Sequence, residues 1–327
     1  MIATSIRRAS LMIASCAALL SACNRDDQLA PRFYRDKATP QAAAPSAGAP
    51  APKSTPVASS GGAFQPPDES EIPSGAFGDL VRRGRDLFLE TDRVAPQYVG
   101  NGLRCGNCHL DAGRLANSAP LWGAWPRYPA FRAKTQSVSS YAERLQGCFM
   151  YSMNGKAPPL GSPELAALEA YSYWMAKGAP TGATLKGAGY PKSKSAPAAP
   201  DYARGEKIYA ANCALCHGAD GAGQKVEGRY VFPPLWGPDS FNWGAGMHQL
   251  DNAAAFIRAN MPLGRGGTLT EQDAWDVALF MNGHERPQDP RYTGDVAETR
   301  KRFHDDPNSP YGTVVNGHLM GSTASAR

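Results

Sequence analysis

The chain has 327 residues, 42% of them hydrophobic, enough for two modest domains with buried cores. Its formal charge of +5 falls to +3 once the N-terminal pair Arg7 and Arg8 is set aside. That is too mild to mark a nucleic-acid binder.

The first segment, MIATSIRRASLMIASCAALLSAC, carries Arg7-Arg8 and then an apolar run of twelve residues, Ala9 to Leu20. Twelve residues cannot span a bilayer but fit the centre of an export signal. The run ends in LSAC, Leu20 to Cys23, which resembles the lipobox of bacterial lipoproteins. Residues 1–22 would then be a cleaved signal and Cys23 would carry lipid. An ordinary signal cut nearby is the alternative, and Arg7-Arg8 hints at twin-arginine export. Asn24, where an acidic residue would favour the inner membrane, tilts the expectation to the outer one. The chain is thus expected to be exported, periplasmic and lipid-anchored to a bacterial membrane. From Ala38 to Pro67, 23 of 30 residues are Ala, Pro, Ser or Gly, which cannot bury enough apolar surface to fold. Residues 23–75 therefore read as a disordered tether with a span of roughly 40 Å.

Two segments follow, 76–180 and 201–285, separated by a Gly/Pro/Ala/Lys-rich linker over 181–200, and they repeat each other. Each opens on a helix containing Gly-x-x-x-aromatic, Gly84 to Phe88 and Gly205 to Tyr209. Each then has Cys-x-x-Cys-His and closes on an aromatic helix. The first closing helix is predicted to start at SPEL, with Ser162 as N-cap and Pro163 at N1. The second is predicted to start at TEQDAW, with Thr270 capping and Asp273 at N3. Leu80, Val81, Leu87 and Phe88 have helical spacing, and no stretch alternates as a strand would. The predicted fold class is all-α, with residues 286–327 an irregular tail over the surface.

The motifs CGNCH (Cys105, Cys108, His109) and CALCH (Cys213, Cys216, His217) carry the chemistry. Two cysteines three apart can each form a thioether with a haem vinyl group, while the next His offers a ring nitrogen to the iron. Two covalently bound haem c groups follow. A redox CxxC or a Cys₄ zinc site is the alternative, disfavoured because His follows both copies. Each iron needs a sixth ligand. In FIRANMPLG, Met261 lies between motif and closing helix, where class I cytochromes c keep their methionine. The two segments thus read as class I cytochrome c-like domains in tandem. Met247 and Met281 are alternatives, and Met281 is discounted because it falls inside the closing helix. In the first segment, Met153 stands 44 positions after His109, as Met261 stands 44 after His217. The repeat therefore nominates Met153, and Cys148 competes five residues earlier. With Cys16 lost and Cys23 lipidated, five cysteines remain, so one is left without a disulfide partner. An unpaired thiol outside the cytoplasm is a liability unless it is buried or used, and iron ligation would use it. On the residues alone Cys148 and Met153 both stay open.

The stretches GNGLRCGNCHLDAGRLANSAPLWGAWPRYPAFR, YAERLQGCFMYSMNGK, IRANMPLG and RPQDPRYTGDVAETRKRFHDDPNSPYG resemble the dihaem thiosulfate dehydrogenases, from about Phe77 to the C-terminus. The resemblance implies His109/Cys148 on the first haem and His217/Met261 on the second. It also implies oxidation of two thiosulfates to tetrathionate, a covalent sulfur adduct at Cys148, and electrons passing from the first haem to the second. A small soluble acceptor such as a cytochrome c would collect them. Its basic residues correspond to Arg144 and to Lys134, where relatives often have arginine, whose bidentate fork a lysine lacks. Ser152 and Lys156 are further candidates. The composition agrees: Leu103 to Leu160 holds seven Lys/Arg against two acids, as the joining of two dianions requires. The competing functions are a non-catalytic dihaem electron-transfer lipoprotein, the same site run as a tetrathionate reductase, and, more weakly, a dihaem peroxidase.

Overall fold

Two glycines set how the helices meet. In the computed structural model, which describes residues 64–192 and 195–323, helix α1 (Ala76–Leu89) lies on α6 (Pro163–Met175), with the single turns α2 (Thr91–Val94), α3 (Leu110–Gly113) and α4 (Leu121–Ala124) and the helix α5 (Tyr141–Gly147) between. A Cβ on Gly84 would lie 2.0 Å from the Ala167 carbonyl oxygen of α6, so only glycine permits the crossing. The second half repeats the device. There α7 (Tyr202–Asn212), followed by the turn α8 (Ala214–His217) and by α9 (Leu250–Asn260), lies on α10 (Glu271–Asn282). A Cβ on Gly205 would lie 2.1 Å from the Asp276 carbonyl oxygen. The aromatic four residues on, Phe88 or Tyr209, is buried beneath each crossing.

The closing helices begin where the caps direct. Ser162 Oγ accepts from the Leu165 N–H with Pro163 in the first turn, and Thr270 forms a full capping box with Asp273. One apolar cluster gathers Val81, Phe88, Trp122, Phe149, Leu168 and Tyr171, and a second gathers Tyr209, Trp236, Ala254, Trp275 and Phe280. Each such large side chain contributes about 1.5–3 kcal/mol when fully buried. The halves are stitched by asparagines. Asn101 Nδ2 donates to the Ser152 and Ser240 carbonyls, both at 3.0 Å, and Asn242 Nδ2 donates to Met150 O and Asn154 Oδ1, both at 2.9 Å.

The structure departs from the predicted fold in four places. It is largely helical rather than all-α: β1 (Ala130–Arg132) pairs with β2 (Ser137–Ser139), β3 (Gln224–Val226) with β4 (Arg229–Phe232), and β5 (Val314–Val315) with β6 (His318–Leu319), each antiparallel. Strands of two to four residues are too short for alternation to register. The tail is not irregular throughout. It contains α11 (Val296–Phe303), N-capped by Asp295, and it buries Tyr311 and Met320 against Trp243. The tether is shorter at its C-terminal end than residue 75, since Phe64 packs on Trp122 at 5.5 Å between ring centroids and Glu69–Glu71 form a helical turn. The 181–200 linker is no free spacer, because the Gly187 and Gly189 carbonyls accept from the Asn117 and Ala119 N–H groups. The readings on the signal, on Cys23 and on the tether up to residue 63 lie outside the described residues. Among the described residues no helix is long and apolar enough to cross a membrane.

Candidate functional site

The Ser140–Glu143 capping box starts α5, which places Arg144 one turn before Cys148. The helix then widens into a π-turn over Cys148–Ser152, an irregularity frequent at functional sites. Arg144 Nη1 stands 2.9 Å from Cys148 Sγ. Burial alone would push this thiol up, but the Arg144 charge and a hydrogen bond from the facing His109 ring outweigh it and hold Cys148 down to about 6. Three other sulfurs behave oppositely. Burial pushes Cys105 up to about 12 and Cys108 and Cys213 to about 11. All five cysteines among the described residues are free of disulfides, and Cys148 is drawn toward the thiolate.

His109 Nδ1 contacts the Ala119 carbonyl at 2.7 Å, and His217 Nδ1 contacts the Pro233 carbonyl at 2.9 Å. In each case the ring is oriented by its Nδ1, which leaves Nε2 for an iron. A cavity of about 790 Å³ is bordered by Cys105, Cys108 and His109 on one side and Cys148 on another. Two thiols at thioether spacing, an oriented imidazole and an anionic sulfur facing it fit a covalently attached haem. Met153 also borders this cavity, is almost fully buried, and donates its N–H to the Cys148 carbonyl at 3.0 Å. It has no charged partner comparable to Arg144. Among the described residues no group of three His, Cys, Asp or Glu could hold a bare metal ion.

Lys134 and Ser152 both line the cavity. Lys134 is exposed as a residue, yet its ammonium donates to the Gly244 carbonyl and sits 3.5 Å from the centroid of the Tyr151 ring. Those crowded surroundings, and then the neighbouring Arg291 charge, hold it down to about 7. Lys156 is exposed and its backbone N–H bonds to the Tyr98 carbonyl; it is not part of the wall. Met261 follows α9 directly, half-buried against the second apolar cluster together with Cys213. Met281 is buried within that cluster, and Met247 borders both the cluster and the first cavity.

Sequence reasoning missed part of the wall. Tyr190 of the linker, His248, and Arg291, Arg302 and Phe303 of the tail all border the cavity. Local spacing carries no signal for them, because the tail residues reach the site through the packing of the tail, and Tyr190 and His248 through that of the linker and of the turn before α9.

Residues 200–281 match the family model described as cytochrome C oxidase, cbb3-type, subunit III. Thiosulfate dehydrogenases from Thiomonas intermedia and Stutzerimonas stutzeri are each 57% identical, over 82% and 79% of this chain and 85% of either relative. The thiosulfate dehydrogenase of Allochromatium vinosum is 42% identical over 70% of this chain and 86% of its own length. Among solved structures, the thiosulfate dehydrogenase (TsdBA) of Marichromatium purpuratum, in its "as isolated" form, superposes with a TM-score of 0.77 at 50% identity over 80% of this chain. The present chain spans 58% of that longer chain's length. The fold is cytochrome c-like and largely helical.

Proposed function

The chain belongs to the thiosulfate dehydrogenase family, and from that premise we propose that it oxidises two thiosulfates to tetrathionate in the cavity bordered by Cys148. The observation that carries this reading is Cys148 Sγ held between the Arg144 guanidinium at 2.9 Å and the His109 ring. Cys105, Cys108, His109 and Cys148 would hold the first haem, and Cys213, Cys216, His217 and Met261 a second, in two cytochrome c-like domains in tandem. Haem iron supplies one-electron acceptance, which lets a two-electron oxidation leave the site in single steps.

The residues of the chain do the rest. The Cys148 thiolate joins the outer sulfur of one thiosulfate, giving Cys–S–S–SO₃⁻ and releasing two electrons. A second thiosulfate attacks the sulfur beside that of the cysteine, tetrathionate departs, and the thiolate is regenerated. Bringing a dianion to an anionic adduct is opposed by Coulomb repulsion, which Arg144 and Lys134 offset from the cavity wall. Ser152, at the end of the π-turn, adds a neutral donor to the same wall. The electrons would pass through the second haem to a small soluble acceptor such as a cytochrome c. Export to the periplasm and a lipid anchor at Cys23, with the outer membrane favoured, complete the reading.

The test is thiosulfate-dependent reduction of an artificial acceptor by the holoprotein, with tetrathionate quantified, for wild type and Cys148→Ala. The substitution should abolish tetrathionate formation and the low-spin ferric EPR signature of thiolate ligation. Tetrathionate formation that survives the substitution would remove Cys148 from the mechanism.

A further inference from the structure

The C-terminal tail brings a cation of its own to the cavity. Arg291 lies on the wall, half-buried, with its guanidinium carbon 5.2 Å from the centroid of Tyr151 and 4.4 Å from that of Phe303. The Tyr151 ring is the one that also carries the Lys134 ammonium. Two like charges at one aromatic ring repel each other, and the Arg291 charge is among the causes that hold the Lys134 ammonium down. Asp289 beside Arg291 offsets part of that repulsion, and two cations still gather at one ring on the cavity wall.

The way Arg291 is held points the same way. Its Nε and Nη2 form a side-on fork with Asp289, at 3.0 Å to Oδ1 and 2.6 Å to Oδ2. Asp289 is fully buried, an arrangement that is costly unless the carboxylate is paired and hydrogen-bonded. Its second partner is His304 Nε2 at 2.9 Å, and His304 Nδ1 in turn meets His248 Nε2 at 3.2 Å. Burial keeps both imidazoles below their usual range, so the chain behind Asp289 is neutral. Asp289 thus fixes one edge of the guanidinium and leaves Nη1 outside the fork. The wall holds seven Lys/Arg against two acids, Asp305 and Asp306, so the cavity is cationic even after those are counted.

We propose that Arg291 is a binding residue for thiosulfate, acting with Lys134 on the sulfonate end of the anion while Arg144 serves the sulfur end at Cys148. This rests on the reading that the cavity oxidises thiosulfate. Two dianions joined end to end need cations at both ends of the nascent chain. A guanidinium with one edge pinned presents its remaining N–H groups to sulfonate oxygens in a preset direction. Asp289 is a positioning residue for the Arg291 guanidinium, with His304 behind it.

The experiment compares holoprotein wild type, Arg291→Gln and Arg291→Lys in equilibrium titrations with thiosulfate, steady-state kinetics and haem redox titration. Losing one charge-assisted contact should weaken thiosulfate binding and raise KM roughly 10- to 100-fold in Arg291→Gln, with haem potentials unchanged. Arg291→Lys, which keeps the charge over Tyr151 and Phe303, should fall between the two and serves as the reporter should the glutamine variant not fold. Equal affinity in all three proteins overturns the proposal. So does unchanged affinity with a shifted haem potential, which would make Arg291 a partner of a haem propionate. Arg291-dependent binding in a wild type that forms no tetrathionate would refute the reaction assigned above and leave this binding site standing.

Discussion

Arg144→Met gives the sharpest test of the electrostatics around Cys148. The replacement keeps most of the stem length and removes the guanidinium whose Nη1 lies 2.9 Å from Sγ. Arg144 is also the largest of the influences that stabilise the thiolate, opposing a burial that would otherwise keep the sulfur protonated. A hydrogen bond to a charged group is worth about 1.5–3 kcal/mol net, so its loss predicts a fall in kcat/KM for thiosulfate of roughly 10- to 150-fold. Arg144→Lys retains the charge but not the planar fork and should recover only part of the loss. The assay is steady-state reduction of an artificial acceptor, with haem content and Tm measured on each variant to separate the site effect from misfolding. A kcat/KM within about threefold of wild type, well short of the loss expected for a charge-assisted hydrogen bond, in a folded and haem-loaded Arg144→Met protein would refute the reasoning, since the charge would then contribute nothing to the chemistry.

Two further outcomes follow from the same coordinates. Lys134 is held down to about 7, and only its charged form attracts a dianion. Thiosulfate affinity should therefore weaken above about pH 7, by at most about tenfold per unit for one proton. Solvent at this exposed residue softens that slope. Lys134→Arg, charged throughout, should abolish the dependence; a wild type flat from about pH 6 to 8.5, on either side of the lowered value, contradicts the placement of the ammonium. Gly205→Ala places a Cβ 2.1 Å from the Asp276 carbonyl oxygen and 2.9 Å from Phe280 Cβ, and must push α7 from α10. It also disturbs the Arg204 fork on Asp276, at 2.8 and 2.9 Å. Overpacking of this kind costs about 1–3 kcal/mol, which in a domain of this size lowers Tm by roughly 4–24 °C by calorimetry; an unchanged Tm would mean that the crossing is looser than it looks.

What was legible in the sequence is what local chemistry dictates. The starts of α6 and α10 follow from Ser162 and Thr270, because a cap is satisfied within three residues of itself. Gly84 and Gly205 with their trailing aromatics marked the repeated opening helices, and the structure adds that each glycine lets its helix cross the closing one closely. The cysteines and histidines proposed to hold haem are likewise written in one short stretch each, because covalent attachment would need them adjacent. The three hairpins were not legible, being too short for a period to show, nor was α11, whose eight residues are mostly polar and exposed. Helical spacing puts Arg144 on the face of Cys148, but the rest of that sulfur's surroundings lay beyond local reading for a different reason. Spacing alone nominated Met153, and both side chains do reach the same cavity. What distinguishes them is electrostatic: a guanidinium one turn away and an imidazole nearly forty residues upstream converge on one sulfur. Lys134 and Arg291, far apart in the chain, meet at Tyr151 only because the tail packs back across both halves. Periodicity and motif report neighbours along the backbone, whereas a cationic wall is a sum over charges that only folding brings within a few ångströms of each other.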